Sequence, residues 1–220
     1  MVRGRTVKRV GAAASAGRSR GVAAGRSATV ARRTKETAVE LSLNVDGSGR
    51  YDIRSGVPFL DHMLEIFARH GFFDLTLRAS GDVEVDDHHT VEDVGLALGQ
   101  AFRQALGAKE GIRRFGEATV PLDEALVQVV VDLSGRPFLA YDVEIRQERI
   151  GAFAVELIHD FLLAFVNENG MNLHVRMLAG RNPHHIVEAV FKGLARALDA
   201  ATQRDPRLRG VLSTKGTLSG

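Results

Sequence analysis

The chain contains no cysteine. A disulfide framework is therefore excluded, and any metal site has to be built from nitrogen and oxygen ligands. Aromatic residues make up only 6% of its 220 positions, which leaves little for the stacking platforms of single-stranded nucleic-acid binders. No apolar run approaches the ~20 residues of a membrane span. Acid is missing from one region altogether: residues 1–35 hold ten Lys and Arg, and the first carboxylate is Glu36. The net charge of +2 thus hides a partition, because residues beyond 35 hold 19 of the 29 basic side chains against all 27 acids, a balance of −8. The basic isoelectric point describes an arm rather than the domain, and this argues against a nucleic-acid-binding module. What is present, 45% hydrophobic residues, suffices for the core of one domain or two small ones.

Residues 1–27 are Ala, Gly, Arg and Ser with scattered Val. Without large apolar side chains they cannot offset the entropy of ordering, so residues 1–29 are expected to form a disordered basic arm ahead of a domain over 30–220. Two readings of the arm stay open. One is a solvated tail of a cytoplasmic protein. The other is a transit peptide for a plastid, favoured by the acid-free Arg-rich composition and disfavoured by the four Ser/Thr among residues 1–27. No compact apolar segment suggests a secretory signal.

Beyond the arm, alternation predicts strands over 37–45 and 51–54, followed by a helix opened by Pro58 and running to about His70. The apolar face of that helix is read as Phe59, Met63, Ile66 and Phe67. A strand over 73–79 and a helix over 88–106, ended by Gly107, complete the unit. The order then recurs: strands over 115–120, 125–133 and 138–145, a helix over 152–167, a strand over 172–178 and a helix over 184–202. The long helices match position by position at an offset of 96, with Val91, Val94, Leu98 and Phe102 answering to Val187, Val190, Leu194 and Leu198. Leu75 answers to Leu173 at an offset of 98. We read an α+β protein built by tandem duplication of a ββαβα-type half, with halves over about 34–107 and 112–204, helices packed between two mixed sheets, and a C-terminal tail over 205–220.

The repeated element with chemistry is His-His-x-x-Glu, at His88, His89 and Glu92 and again at His184, His185 and Glu188. The spacing brings each Glu to the face of its histidines. Adjacent helical residues point about 100° apart, so each pair serves two metals more readily than one. A lone His-His pair is usually just an exposed helix start. Two copies at equivalent positions favour metal binding, and the imidazole–carboxylate set suits Mn²⁺, Fe²⁺, Ni²⁺ or Zn²⁺. Asp86, Asp87 and Asp93 are candidates to hold the ring N–H groups, or else ordinary loop acids. The offset of 98 pairs His62 with Asp160; His159 is the alternative if its helix is rotated by a residue. His70 reads as a cation at a helix C-terminus, and His174 as a strand histidine.

A second cluster is basic. Gly111-Ile112-Arg113-Arg114-Phe115-Gly116, Leu133-Ser134-Gly135-Arg136-Pro137 and Ser213-Thr214-Lys215-Gly216 combine glycine, hydroxyl and fixed cation in the manner of an anion site. Lys192 sits two turns along from His185 and could add a cation. Each motif alone also fits an exposed turn.

These motifs, together with Arg33-x-Lys35-Glu36-Thr37, Phe59-Leu60-Asp61-His62-Met63-Leu64, Asp123-Glu124-Ala125-Leu126 and Asp132-Leu133-Ser134-Gly135-Arg136-Pro137, occur in an order and spacing that resembles the imidazoleglycerol-phosphate dehydratase family from about residue 30 to the C-terminus. The resemblance implies removal of water from D-erythro-imidazoleglycerol phosphate to give imidazole-acetol phosphate in histidine biosynthesis. It implies two Mn²⁺ per active site and a homo-oligomer of 24 subunits built from trimers, with sites at subunit interfaces. By motif, His62, His88, His89, Glu92, Asp160, His184, His185 and Glu188 would be metal ligands; Asp160 stands where the family pattern has His or Glu. Arg114, Arg136, Lys192, Ser213, Thr214 and Lys215 would hold the phosphate, and Glu36 and Glu188 are the acid/base candidates. The proton to be lost is not adjacent to a carbonyl, so a simple enolate route is closed, and cations flanking the imidazole ring are what the chemistry needs. Another metal-dependent phosphate-ester lyase, hydrolase or isomerase on the same scaffold is the alternative.

Overall fold

A computed structural model describes Met1 and residues 25–218. The arm expected over 1–29 lies, for residues 2–24, outside the described residues. Its last part does not behave as an arm. Ser27–Arg33 is a strand, β1, paired antiparallel with β2 from Ser27↔Asn44 to Arg33↔Ala38. Arg26 lies against Asp46 and donates from Nη1 to the Thr202 carbonyl at 2.6 Å. The domain therefore begins a few residues before position 30.

The first half runs β1, β2 (Thr37–Asn44), β3 (Tyr51–Arg54), α1 (Pro58–Gly71), β4 (Asp74–Gly81) and α2 (His88–Leu106). The second runs β5 (Phe115–Leu122), β6 (Ala125–Asp132), β7 (Phe138–Asp142), the short hairpin β8 (Arg149–Ile150) and β9 (Phe153–Ala154), α3 (Leu157–Asn169), β10 (Asn172–Ala179) and α4 (Pro183–Thr202). The sheets have the same topology, β1-β2-β4-β3 and β5-β6-β10-β7. In each, the penultimate strand is antiparallel to one neighbour and parallel to the other. The α+β duplication thus stands, with one strand more in the first half than its local pattern announces. The helix expected from residue 152 starts at Leu157 instead, because Phe153–Ala154 pairs with Arg149–Ile150.

The strands follow their pattern. Val39, Leu41 and Leu43 on β2, and Val127, Val129 and Val131 on β6, alternate inward with half-buried or exposed neighbours. Helices α1 and α2 cover the first sheet and α3 and α4 the second; the two helical layers meet as α2 on α3 and α1 on α4. On α1 the buried face is Leu60, Met63, Leu64 and Phe67, with Phe59 and Ile66 only partly buried, so the face is rotated from the expected one. Phe67, Phe73 and Phe102 from the first half mesh with Phe165 from the second, the Phe102 and Phe165 rings meeting edge to face at 5.6 Å. One core therefore serves both halves.

Two close approaches depend on missing side chains. A Cβ on Gly95 would stand 2.7 Å from the Phe161 carbonyl oxygen, and one on Gly99 2.6 Å from that of Phe165, so these glycines let α2 lie directly on α3. Gly116, read from the sequence as part of an anion loop, has a packing role: its Cβ would fall 1.9 Å from the Ala197 carbonyl oxygen of α4.

Candidate active site

The chain's eight histidines concentrate at helix starts, where free backbone N–H groups and solvent access coincide. Pro183 occupies the first turn of α4, and the Asn182 side chain accepts from the His184 amide at 3.0 Å. That cap fixes where the His184–His185 pair enters the helix. On α2 the Asp86 carboxylate accepts from the His88 amide at 2.8 Å, a backbone role rather than the ring contact expected of it.

The first cluster joins the two halves. His62 from α1 meets His184 and Glu188 from α4, and one donor atom from each lies within 4.8 Å of the others. His184 Nε2 is 3.2 Å and His62 Nε2 3.9 Å from Glu188 Oε2, while Lys192 Nζ holds the other carboxylate oxygen at 2.6 Å. Burial alone would push the Glu188 carboxyl up, but Lys192 and His184 hold it below its ordinary value. The Phe59 ring abuts His184 edge-on at 5.6 Å and limits its rotation.

The pseudo-equivalent cluster is looser. His88 Nδ1 lies 3.4 Å from Asp160 Oδ2, and Glu92 is exposed, with no hydrogen bond or ion pair among the described residues. Asp160 therefore occupies the place that His62 holds in the first cluster. His159 also meets Asp160, at 3.5 Å, but its ring turns to Tyr141 at 5.7 Å, beside a cavity lined by Tyr141, Val143 and Glu156. Each cluster combines the short helix of one half with the long helix of the other.

The second histidine of each pair points elsewhere. His89 Nδ1 lies 3.1 Å from Asp82 Oδ2, and His185 Nδ1 lies 2.8 Å from Glu124 Oε2. Each bond raises the ring's pKa, and the His185 bond pulls the Glu124 carboxyl down to about 2. Neither carboxylate was expected from sequence in this role. Of those that were, Asp87 contacts no histidine ring. Asp93 is buried and spent on Arg32 at 2.8 Å and on the Thr37 hydroxyl. Glu124 could have been found, since it lies in the Asp123–Leu126 motif; Asp82 could not be told from its acidic neighbours. Glu36 sits exposed in the β1–β2 turn, near enough to His89 to act on its charge. His70 lies in the last turn of α1, as expected, and burial together with Lys192 and Arg196 pushes its pKa down.

The basic motifs assemble at the other end of the second half. Arg114, Arg136, Ser213, Thr214 and Lys215 line one open cavity of about 860 Å³. Arg114 takes a left-handed backbone (φ 71°) that its amide bond to the Ala201 carbonyl, at 2.9 Å, holds in place. Its guanidinium is already engaged by both oxygens of Asp132, at 2.7 and 3.0 Å, and by the Leu212 carbonyl at 2.7 Å. Arg114 thus secures the C-terminal tail, while Arg136 and Lys215 are exposed. Lys192 does not join this group; it belongs to the Glu188 cluster. The two groups lie at opposite ends of α4. His184 opens that helix, and Arg114 docks on Ala201 near its end. At 1.5 Å per residue the separation is roughly 25 Å, far more than one small substrate spans.

Comparison with known proteins gives the family of this fold. The family described as imidazoleglycerol-phosphate dehydratase matches residues 55–198. The chain is 57% identical over 193 residues to the imidazoleglycerol-phosphate dehydratase of Pelobacter propionicus, covering 88% of this chain and 99% of that protein. It is 58% identical, with the same coverage, to that of Geobacter sulfurreducens. Among solved structures, the Staphylococcus aureus imidazoleglycerol-phosphate dehydratase superposes with a TM-score of 0.75 at 35% identity, over 81% of this chain and 99% of that one. The Pyrococcus furiosus structure in complex with (S)-C348 gives 0.74 at 39% identity, over 86% and 99%. The chain accordingly belongs to the imidazoleglycerol-phosphate dehydratase family, lyases of histidine biosynthesis.

Proposed function

We propose that this chain dehydrates D-erythro-imidazoleglycerol phosphate to imidazole-acetol phosphate in a metal-dependent reaction, at sites completed between subunits. The observation that carries the metal dependence is the meeting of His62, His184 and Glu188 across the two halves, with donor atoms within 4.8 Å. Imidazole and carboxylate without thiolate fit Mn²⁺. His62, His184 and Glu188 would hold one ion and His88, Glu92 and Asp160 the other, while His89 and His185, which point away from these clusters within the chain, would each complete a site with another subunit. When bound, a pair of such cations supplies Lewis-acid stabilisation of charge on the imidazole ring of the substrate.

The protein's own groups do the rest. Arg136, Ser213, Thr214 and Lys215 bind the phosphate, and Arg114 keeps their tail in place. Glu36, exposed in its turn, takes the substrate proton within hydrogen-bond reach. Glu188, held ionised by Lys192, is the second acid/base candidate. The distance of roughly 25 Å along α4 supports a reading in which the phosphate group of one chain serves the metal cluster of another. This favours a homo-oligomer with interface sites, as expected of a 24-subunit particle of trimers. The bacterial relatives favour a cytoplasmic location, and among the described residues no helix is long and apolar enough to cross a membrane.

The test is turnover of imidazoleglycerol phosphate by chelated protein, with and without Mn²⁺, with particle mass followed by light scattering. Activity that returns with Mn²⁺ in the assembled particle is expected. An assembled, Mn²⁺-saturated sample without turnover overturns the reading.

A further inference from the structure

The duplication supplies its own control for the second histidine of each pair. Leu43 pairs with Leu75, and Val131 pairs with Leu173. Because Leu75 and Leu173 are equivalent, β2 maps onto β6 at an offset of 88 (131 less 43), and Glu36 maps onto Glu124. In the second half that turn glutamate holds the histidine ring, with Glu124 Oε2 2.8 Å from His185 Nδ1. In the first half the ring is held from a different place, by Asp82 at the end of β4, 3.1 Å from His89 Nδ1. Beyond the register shift between Met177 and Ala179, Ala179 pairs with Leu126 as Ser80 pairs with Ala38, so the position equivalent to Asp82 is Arg181, whose side chain can only donate. The two halves have exchanged the tether.

We infer that Asp82 and Glu124 are positioning residues, each fixing its histidine with Nδ1 as donor so that Nε2 presents a bare lone pair, and that the tether from Asp82 leaves Glu36 free for proton transfer. The inference rests on the metal-site reading above. Its chemistry is that of a ring whose far nitrogen is already committed: tautomer and orientation are set before any ligand arrives. The Glu36 carboxylate accepts no hydrogen bond among the described residues; only its amide is engaged, by Thr34 Oγ1 at 3.1 Å.

Glu124 also anchors the entry to α4, with Oε1 accepting from the Arg181 and Asn182 amides at 3.2 and 2.7 Å. Glu124→Gln separates the two roles. Its amide oxygen keeps the backbone anchors, which forces the NH₂ group towards His185 Nδ1. The ring must then accept there, and the proton moves to Nε2, where it blocks the lone pair. Mn²⁺ titration followed by electron paramagnetic resonance, with thermal melting beside it, is the measurement. Glu124→Gln is expected to melt as wild type and to weaken one class of Mn²⁺ site by about 10–100-fold. Asp82→Ala is expected to keep most of its Mn²⁺ affinity while losing turnover, because Glu36 is recaptured by the vacated Nδ1. Asp82→Ala with Glu36→Ala then loses affinity by about 10–100-fold. Wild-type Mn²⁺ affinity in both Glu124→Gln and the double variant overturns the tether. A wild-type protein that binds no Mn²⁺ overturns the metal reading itself, and this inference with it.

Discussion

The two halves of the chain share a topology and differ at several of the side chains that meet the other half. Across the α2–α3 seam, Gly95 and Gly99 admit the carbonyls of Phe161 and Phe165. Their equivalents on α4, at the offset of 96, are Phe191 and Ala195, and the buried Phe191 ring packs 5.5 Å from Phe161 of α3. The same drift reaches the site. Lys192 clamps Glu188, whereas Leu96 stands at the equivalent place beside Glu92. His62 is matched by Asp160, and Glu124 by a Glu36 whose carboxylate accepts no hydrogen bond among the described residues. Duplication gives two like clusters, and divergence gives each different neighbours. The tight cluster has a cation behind its carboxylate, and the open one keeps an unengaged carboxylate nearby.

The seams give the largest expected effects. Phe191→Ala removes a fully buried ring, and chemical denaturation should show a loss of about 3–5 kcal/mol. Gly99→Ala, which in an ordinary helix would gain about 1 kcal/mol, should instead lose about 1–3 kcal/mol by forcing α2 off α3. Ala195→Gly, at the equivalent position, should lose only the propensity difference of about 1 kcal/mol. Equal responses at positions 99 and 195 would erase the distinction between the seams.

At the site, Asp160→His would make the second cluster resemble the first. Imidazole suits Zn²⁺ better than carboxylate does. Competition titration should therefore show Zn²⁺ gaining on Mn²⁺ at that cluster by about tenfold, or about 1.4 kcal/mol, with the His62 cluster unchanged.

A pH-dependent effect lies at the junction between the halves. Lys109 is buried, with Nζ donating to the Gly170 carbonyl at the end of α3, and burial pushes its pKa down to about 8 from 10.5. The unfolded chain therefore binds more protons than the folded one between those values. The cost of the buried charge is present in full below pH 8 and is relieved as pH rises towards 10.5. Melting of wild type and Lys109→Met across pH 7.5–10.5 should show the wild type gaining on the variant by at most about 1.4 kcal/mol per pH unit. A difference independent of pH would place the charge elsewhere.

Legibility in the sequence followed the range of the interactions involved. Both long helices could be read to within a residue, because their apolar stripes are local and their ends are marked by Asn182-Pro183 and Gly107. Strand β1 could not, because Val30 is its one buried side chain and the rest is Arg, Ser, Thr and Ala. It is a strand because β2 offers it an edge. The hairpin β8–β9 escaped for the same reason: two-residue strands carry no period. The separation of Lys192 from the other phosphate candidates was equally invisible, since a motif gives a residue's type and not the end of the helix it faces.

Sequence by itself determined the duplication, the paired histidines and the family, because all three rest on spacing along the chain. Tertiary structure alone decided which carboxylate holds which histidine, that Gly116 packs against α4, and that the histidine clusters and the Arg114, Arg136 and Lys215 loops lie at opposite ends of α4. Those outcomes depend on strand register and helix contact between residues distant in sequence, and no local pattern encodes which partner a side chain finds there.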